Sequence, residues 1–360
     1  MRTYVAEKDA ILHNLQILTK KADGTHIWAV LKGNGYGLGA GPMAELCRSK
    51  GITRFAVTEI SEAIAIRKLG GNLSILMLRP TKDPVELQQM LDLDVIATIG
   101  STEDAAALNA MAGQRGIVAE AHVKIDTGMG RYGFHPDETG KILSVYRYND
   151  ALAVSGIYTH FHSAFCDEKA TQAQYEQFRM VISSIEAAGI EPGAAHCCNS
   201  EAFLRHPEMK MQGVRLGSAL LGRVRVKSEL RRVGFCEATV DEIRWLPAGH
   251  TTGYGAGWKA KKPTQIAVIS VGWYHGFTAS YGDDLSRFRD RLRAVLQGVK
   301  RLLLPKRIYV TINGQKCRVL GHVGMLHTVC NVTKASCRVG DKVELDINPL
   351  MLKDLEIRYR

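Results

Sequence analysis

The sequence predicts an α/β chain, an N-terminal (β/α)8 barrel of the TIM type followed by a C-terminal all-β domain. Eight short apolar runs alternate with longer amphipathic ones from residue 1 to about residue 225, which is the pattern of strands joined by helices in a parallel barrel. Beyond residue 225 the runs are short, β-like and bounded by Gly, Pro and Asn. Lys32, followed by a string of glycines, closes the first apolar run, and the C-terminal ends of barrel strands are where such folds keep their chemistry. The expected division is therefore 1–225 and 226–360.

The strands of the first part are read, in order, at 27–31, 54–58, 74–78, 95–99, 119–125, 153–158, 194–197 and 213–216. Helical spacing fills most gaps: Ile60, Ala63, Ile64 and Ile66 lie on one face of 58–69 with Glu62 and Arg67 outside, and Tyr175, Phe178, Val181, Ile182 and Ile185 mark 168–188. In the second part, strands are expected at 240–245, 265–271, 307–312, 316–323 and 342–345. Residues 281–305 read as a basic amphipathic helix with Phe288, Leu292, Leu296 and Val299 on one face. Such a helix suits a membrane or a partner, but docking onto its own domain with a solvated basic face is the expectation.

Composition bounds the function. The 360 residues are 46% hydrophobic and 23% charged, enough for a sizeable core in an ordinary globular protein. There is no apolar run of about 18 residues or more, and the first segment is too charged for a signal peptide, so a cytoplasmic protein without membrane contact is expected. Eight cysteines occur without a C-x-x-C pair, which fits reduced thiols and no metal. The net charge of +11 comes without a nucleic-acid motif, so no nucleic-acid partner is expected; a surface favouring an anionic cofactor, or one aiding solubility, fits better.

Chemistry concentrates in a few segments. In Ile27-Trp-Ala-Val-Leu-Lys32-Gly-Asn-Gly-Tyr36-Gly, a lysine ends a buried strand, where burial lowers its pKa toward the neutral amine that forms a Schiff base with an aldehyde. The same segment also fits a lysine that snorkels ahead of an ordinary βα loop. In Lys124-Ile-Asp126-Thr-Gly-Met129-Gly-Arg131, two cations share one turn and repel unless an anion lies between them; a carboxylate site and a solvated surface turn both fit. His160 ends a strand, Asn199 and Ser200 stand where a helix would begin, and Tyr254 lies between glycines. Each has an ordinary structural explanation when taken alone.

Together these segments resemble the alanine racemase family, fold-type III enzymes that use pyridoxal 5'-phosphate (PLP). The lysine segment resembles KANAYG, with glycines at 33 and 35; 124–134 resembles K-x-D-T-G-M-x-R; Thr159-His160-Phe161 resembles T-H-F. His196 to Ala202 resembles H-x-A-N-S-A-A, Val214 to Ala219 resembles V-R-P-G-I-A, and the turn around Tyr254 resembles the family's Y-G motif. The likeness covers nearly the whole chain. It implies that Lys32 holds PLP covalently, with Tyr36, Asn199, Ser200, Gly217 and Ser218 toward its phosphate, His160 on its ring and Arg215 at its ring nitrogen. It implies that Arg131 and Met325 meet the amino-acid substrate and that Lys124 is N-carboxylated. It further implies that Tyr254, supplied by the partner in a homodimer, is the second base opposite Lys32.

The resemblance departs at the substrate corridor. G-Y-A-D-G becomes Gly272-Trp273-Tyr274-His275-Gly276, and the aspartate of R-V-x-M-D-Q becomes Leu326. Phe165 and Ala279 align with an aspartate and an arginine, and Leu355 lies near the usual C-terminal tyrosine. Retained cofactor and base positions beside an altered corridor imply racemase chemistry on amino acids other than, or larger than, alanine. A fold-type III decarboxylase or dehydratase is one alternative; a non-catalytic PLP-binding protein is the other.

Overall fold

The computed structural model describes residues 2–280, 288–303 and 307–360, without the side chains of 288–289 and 301–303. It divides into two compact units, Lys8–Val233 and, together, Met1–Glu7 with Gly234–Arg360. The first strand, β1 (Thr3–Ala6), thus belongs to the C-terminal unit rather than to the barrel, and the division falls eight residues beyond the expected 225.

The larger unit is a closed barrel of eight parallel strands: β2 (His26–Val30), β3 (Arg54–Val57), β4 (Ser74–Met77), β5 (Val95–Ile99), β6 (Ala119–Lys124), β7 (Leu152–Tyr158), β8 (Ala194–His196) and β9 (Gly213–Leu216). The barrel closes where β9 pairs with β2, Trp28 opposite Arg215. These strands read as apolar runs because both of their faces are covered. Trp28, Val30, Ala56, Leu76 and Ile96 form one cluster, with Tyr36 and Leu78 packed on it, while Ile27, Phe55, Ile75 and Met77 fall at the alternate positions of the same strands and are also buried. The register between β6 and β7 shifts after Ala121, an irregularity of the kind that re-aims side chains beside a site. Helices lie between the strands, among them Ile60–Arg67 and Glu168–Ala187; Asp167 caps the latter by accepting from Ala170 N.

The smaller unit holds β1, β10 (Phe235–Leu246), β11 (Thr251–Thr252), β12 (Trp258–Lys259), β13 (Thr264–Ile269), β14 (Tyr309–Ile312), β15 (Gln315–Arg318), β16 (Thr328–Asn331), β17 (Lys342–Leu345) and β18 (Glu356–Tyr359). Its main sheet runs β15-β14-β17-β10-β1-β18, with β13 joining β10 to β16. Strand β10 changes partners at a bulge between Val240 and Glu242, pairing with β17 and β1 before it and with β13 through to Leu246. Leu246, Ala260, Ile266 and Leu320 form part of its core.

Within 281–305, the helix runs from Phe288 to Leu303; 281–287 and 304–305 lie outside the described residues. Among the described residues its apolar face is not covered as expected: Leu292, Val295, Leu296 and Val299 are all exposed.

Candidate active site

Ten residues singled out by the sequence line one cavity of about 400 Å³ in the barrel unit: Lys32, Tyr36, Lys124, Arg131, His160, Asn199, Ser200, Arg215, Gly217 and Ser218. Most follow the C-terminal ends of their strands, as the fold demands.

Lys32 begins a turn in which Gly33, Asn34, Gly35 and Tyr36 all have left-handed backbone, φ 52–64°. Such a run is unfavourable for residues with a Cβ, so glycine at 33 and 35 relieves strain rather than merely loosening the loop. Glu62, buried, holds the turn in place: its carboxylate accepts from Asn34 N (2.7 Å), Thr58 N (2.9 Å) and Glu59 N (3.1 Å). Burial, reinforced by the positive charges of Arg131 and Arg215, holds the Lys32 amine below the ordinary lysine value, against the opposing pull of Glu62.

Lys124 is 2% exposed, and no salt bridge joins it to a carboxylate among the described residues. Burial first, then Arg215 and Arg131, push its pKa down to about 7. Its Nζ stands 4.7 Å from the centre of the Tyr158 ring, and the Arg215 guanidinium stands 5.0 Å from the same ring. The buried phenol donates to the Leu78 carbonyl (3.2 Å) and meets Thr98 Oγ1 at 2.8 Å. Tyr158 is thus the aromatic floor under two cations, a part the sequence did not announce beyond placing it two residues before His160.

Asp126 shapes the neighbouring turn. Burial alone would raise its carboxyl, but backbone N–H groups of Gly128, Met129, Gly130 and Arg131 bind it at 2.7–3.1 Å and hold it below the ordinary range. That turn presents Arg131 to the cavity.

Arg215 is buried and fixed on several sides. One terminal nitrogen donates to His196 O and His196 Nδ1, both at 2.8 Å; the other donates to Thr159 O at 2.5 Å and Cys197 O at 3.3 Å. His196 therefore carries its proton on Nε2 and donates to His122 Nδ1 at 3.0 Å. Burial and the Arg215 charge keep His122 near 3 and His196 and His160 well below their ordinary values, so all three imidazoles are neutral at pH 7.

At the opposite wall, Ser200 Oγ accepts from Gly217 N (3.1 Å) and Ala219 N (3.2 Å). Asn199 spends its side chain on structure: Oδ1 caps Glu201 N and Ala202 N, and Nδ2 donates to Phe161 O. A Cβ on Gly217 would lie 2.2 Å from the Tyr36 hydroxyl, so only glycine leaves the room that the phenol occupies.

The fit to PLP rests on this chemistry. Five cations, Lys32, Arg79, Lys124, Arg131 and Arg215, line the cavity against one carboxylate, Glu201; Arg79 is itself neutralised by Glu86. An anionic cofactor and a carboxylate substrate complement the rest, and an amine with a lowered pKa is available for the aldehyde.

A family model of the alanine racemase N-terminal domain matches residues 7–224, and one of the C-terminal domain matches residues 234–349. The chain belongs to the alanine racemase family. The alanine racemase of Desulforamulus reducens is 32% identical over 346 residues, spanning 93% of this chain and 87% of that protein. Among solved structures, the alanine racemase of Clostridium difficile superposes with a TM-score of 0.84 at 24% identity, covering 100% of this chain and 95% of that one. The alanine racemase of Bartonella henselae, solved with covalently bound pyridoxal phosphate, gives 0.82 at 21% identity, covering 100% and 99%. These two likenesses bear on the fold.

Two expected alanine racemase site residues lie in the other unit. Tyr254, in the turn Tyr254–Ala256, is 76% exposed, and Met325 is 45% exposed. Among the described residues, no helix is long and apolar enough to cross a membrane, and no cluster of His, Cys, Asp and Glu is arranged to hold a metal ion.

Proposed function

We propose that this protein is a PLP-dependent amino-acid racemase working by a two-base mechanism, with Lys32 on one face of the substrate Cα and Tyr254 of a partner subunit on the other. The observation that carries the reading is the Lys32 amine, kept below its ordinary pKa at the end of β2 in a cavity dominated by cations. When bound, PLP supplies an electron sink that weakens the Cα–H bond of an amino acid joined to it.

The chain's residues supply the rest. Lys32 anchors the cofactor and then takes or gives the proton on its own face of Cα. Inversion without turning the substrate over needs a second acid/base on the other face, the role assigned to Tyr254. Arg131 binds the substrate carboxylate, with Met325 beside the substrate. Lys124, largely neutral above pH 7, is nucleophilic toward carbon dioxide. The N–C bond forms, an electron pair moves to oxygen and the nitrogen releases a proton, leaving a carbamate anion to face Arg131. Arg215 would donate toward the ring nitrogen; burial lowers its pKa from the ordinary arginine value, yet a guanidinium does not readily give up its proton, which would restrain electron withdrawal and limit transamination. Tyr36, Asn199, Ser200, Gly217 and Ser218 would hold the phosphate, Asn199 also ordering the helix start beside it, and His160 would pack on the ring.

A decarboxylase needs no base at Tyr254, and a PLP carrier needs neither Tyr254 nor Arg131; the racemase family and the retained residues favour neither. The corridor bears on the substrate. Phe165 carries the Arg225 guanidinium 4.3 Å from its ring centre, and Leu326 is 41% exposed. Apolar side chains at Phe165, Leu326 and Ala279 lower the desolvation cost of a substrate side chain larger than methyl, about 0.8 kcal/mol per methylene. A chiral chromatographic screen of the proteinogenic amino acids with the PLP-loaded protein tests both levels. Interconversion of enantiomers is expected, with a larger or more apolar amino acid ahead of alanine in kcat/KM. No racemisation of any of them removes the functional reading. Alanine leading every larger amino acid by about tenfold removes only the substrate preference and favours a pocket that Trp273 and Phe165 tighten.

A further inference from the structure

The helix Phe288–Leu303 presents an apolar stripe that is exposed among the described residues. Leu292, Val295, Leu296 and Val299 are 50%, 62%, 60% and 52% exposed, and at 3.6 residues per turn they fall within an arc of about 100°. Arg291 stands on one shoulder of that arc, and Arg293 and Lys300 on the other. The only acid of the segment, Asp290, lies 3.8 Å from Arg293. Five cations against one acid leave this helix with a net charge of +4, on a chain of net +11.

We propose that this helix is an in-plane docking element for an anionic lipid surface. A narrow apolar stripe with cations on both shoulders is the arrangement that beds at the headgroup boundary: the stripe enters the acyl edge and the cations meet lipid phosphates. At 16 residues and 1.5 Å rise the helix is about 24 Å long, short of a bilayer's hydrocarbon core of about 30 Å, so it lies along the surface rather than through it. Charge decides between lipid and a second copy of the chain. A second copy would bring the same shoulders together, cation against cation, whereas anionic headgroups neutralise them. The inference replaces the expectation of no membrane contact with a peripheral one. It goes beyond the racemase reading and does not depend on it.

The test is co-sedimentation of the full-length, PLP-loaded protein with two kinds of vesicle, pure phosphatidylcholine and phosphatidylcholine with about one third phosphatidylglycerol. Binding to the anionic vesicles at least about tenfold above the neutral ones is expected, with release as added salt shortens the screening length. Two variants probe the two halves of the surface independently: Leu292→Glu/Leu296→Glu breaks the stripe, and Arg291→Gln/Arg293→Gln/Lys300→Gln removes the shoulders. Each should lose about tenfold or more of the anionic binding while keeping the wild-type Tm, since all five side chains are exposed. Equal sedimentation of the wild type with both vesicles overturns the proposal, as does undiminished binding by Leu292→Glu/Leu296→Glu. A fall in oligomeric mass in that variant, without any lipid preference in the wild type, gives the face to a second copy and overturns it equally.

Discussion

In the barrel, Lys32 and Lys124 are amines kept below their ordinary pKa by burial and by neighbouring guanidinium groups. In the β-rich unit, Tyr254 stands 76% exposed on a three-residue turn. One base of the proposed pair is thus tuned inside a finished cavity, and the other is presented without surroundings of its own. On the proposed reading, the barrel unit supplies the residues that hold the cofactor, whereas inversion would depend on what the β-rich unit of a partner brings.

The comparison breaks most severely at Lys32. Lys32→Ala should remove covalent PLP attachment and lower racemisation by about 10⁴-fold or more, since both the anchor and one base disappear. Retention by this variant of both turnover and a visible aldimine absorbance that borohydride bleaches would end the assignment. Tyr254→Phe should leave PLP binding intact and cost about 10²–10⁴-fold in both directions, the usual weight of a single acid/base. Near wild-type rates in this variant would mean a one-base reaction. Mixing the two inactive variants sharpens the point: after random subunit exchange, half the dimers are mixed and each has one intact composite site, so about a quarter of wild-type activity should return. Verified exchange without recovery would count against a shared site.

Smaller effects probe the finish of the cavity. Gly217→Ala places a methyl 2.2 Å from the Tyr36 hydroxyl and should weaken PLP binding by about tenfold or more, about 1.4 kcal/mol, measured by equilibrium titration; unchanged affinity would separate Tyr36 from the phosphate. The smallest effect concerns Lys124 in cofactor-free, carbon dioxide-free protein. Its folded pKa of about 7 lies below the ordinary 10.5. Between those values the unfolded chain binds a proton that the folded chain does not, so this group makes stability rise with pH, by up to about 1.4 kcal/mol per pH unit. Below pH 7 both states are protonated and the slope vanishes. Denaturant titrations from pH 7.5 to 9 should show a shallower rise in Lys124→Met than in wild type; parallel curves would mean that the amine is not held neutral.

Barrel and sheet also differ in how far the sequence revealed them. All eight barrel strands were legible, because a parallel strand covered on both faces is written as a mostly apolar run, even where, as in β6 and β7, polar residues interrupt it. Strand β1 was not: Thr3–Ala6 is four residues long, and its partners lie near residues 236 and 357. Ten residues read from the motifs line one cavity, but the bonds that hold them in place were not legible. Asn199, besides lining the cavity, caps a helix with its Oδ1; Glu62 looked like a solvated helix charge and is the buried tie of the Lys32 turn. Periodicity revealed the stripe on Phe288–Leu303 without saying that it stays exposed among the described residues, because amphipathic spacing records a face and not its partner.

The pairing of β1 with β18, Thr3 beside Glu356 and Ala6 beside Tyr359, has a consequence for the order of events during synthesis. The barrel is continuous from Lys8 to Val233, so every strand it needs has been made once residue 216 is available. The sheet is a long-range closure of the slow kind: its second strand from one edge is translated first, and the neighbour that covers that strand comes more than 350 residues later. A ribosome-bound chain halted near residue 300 should therefore carry a protease-resistant barrel with residues 1–7 still open to cleavage, and those seven residues should become protected only after residue 359 has emerged.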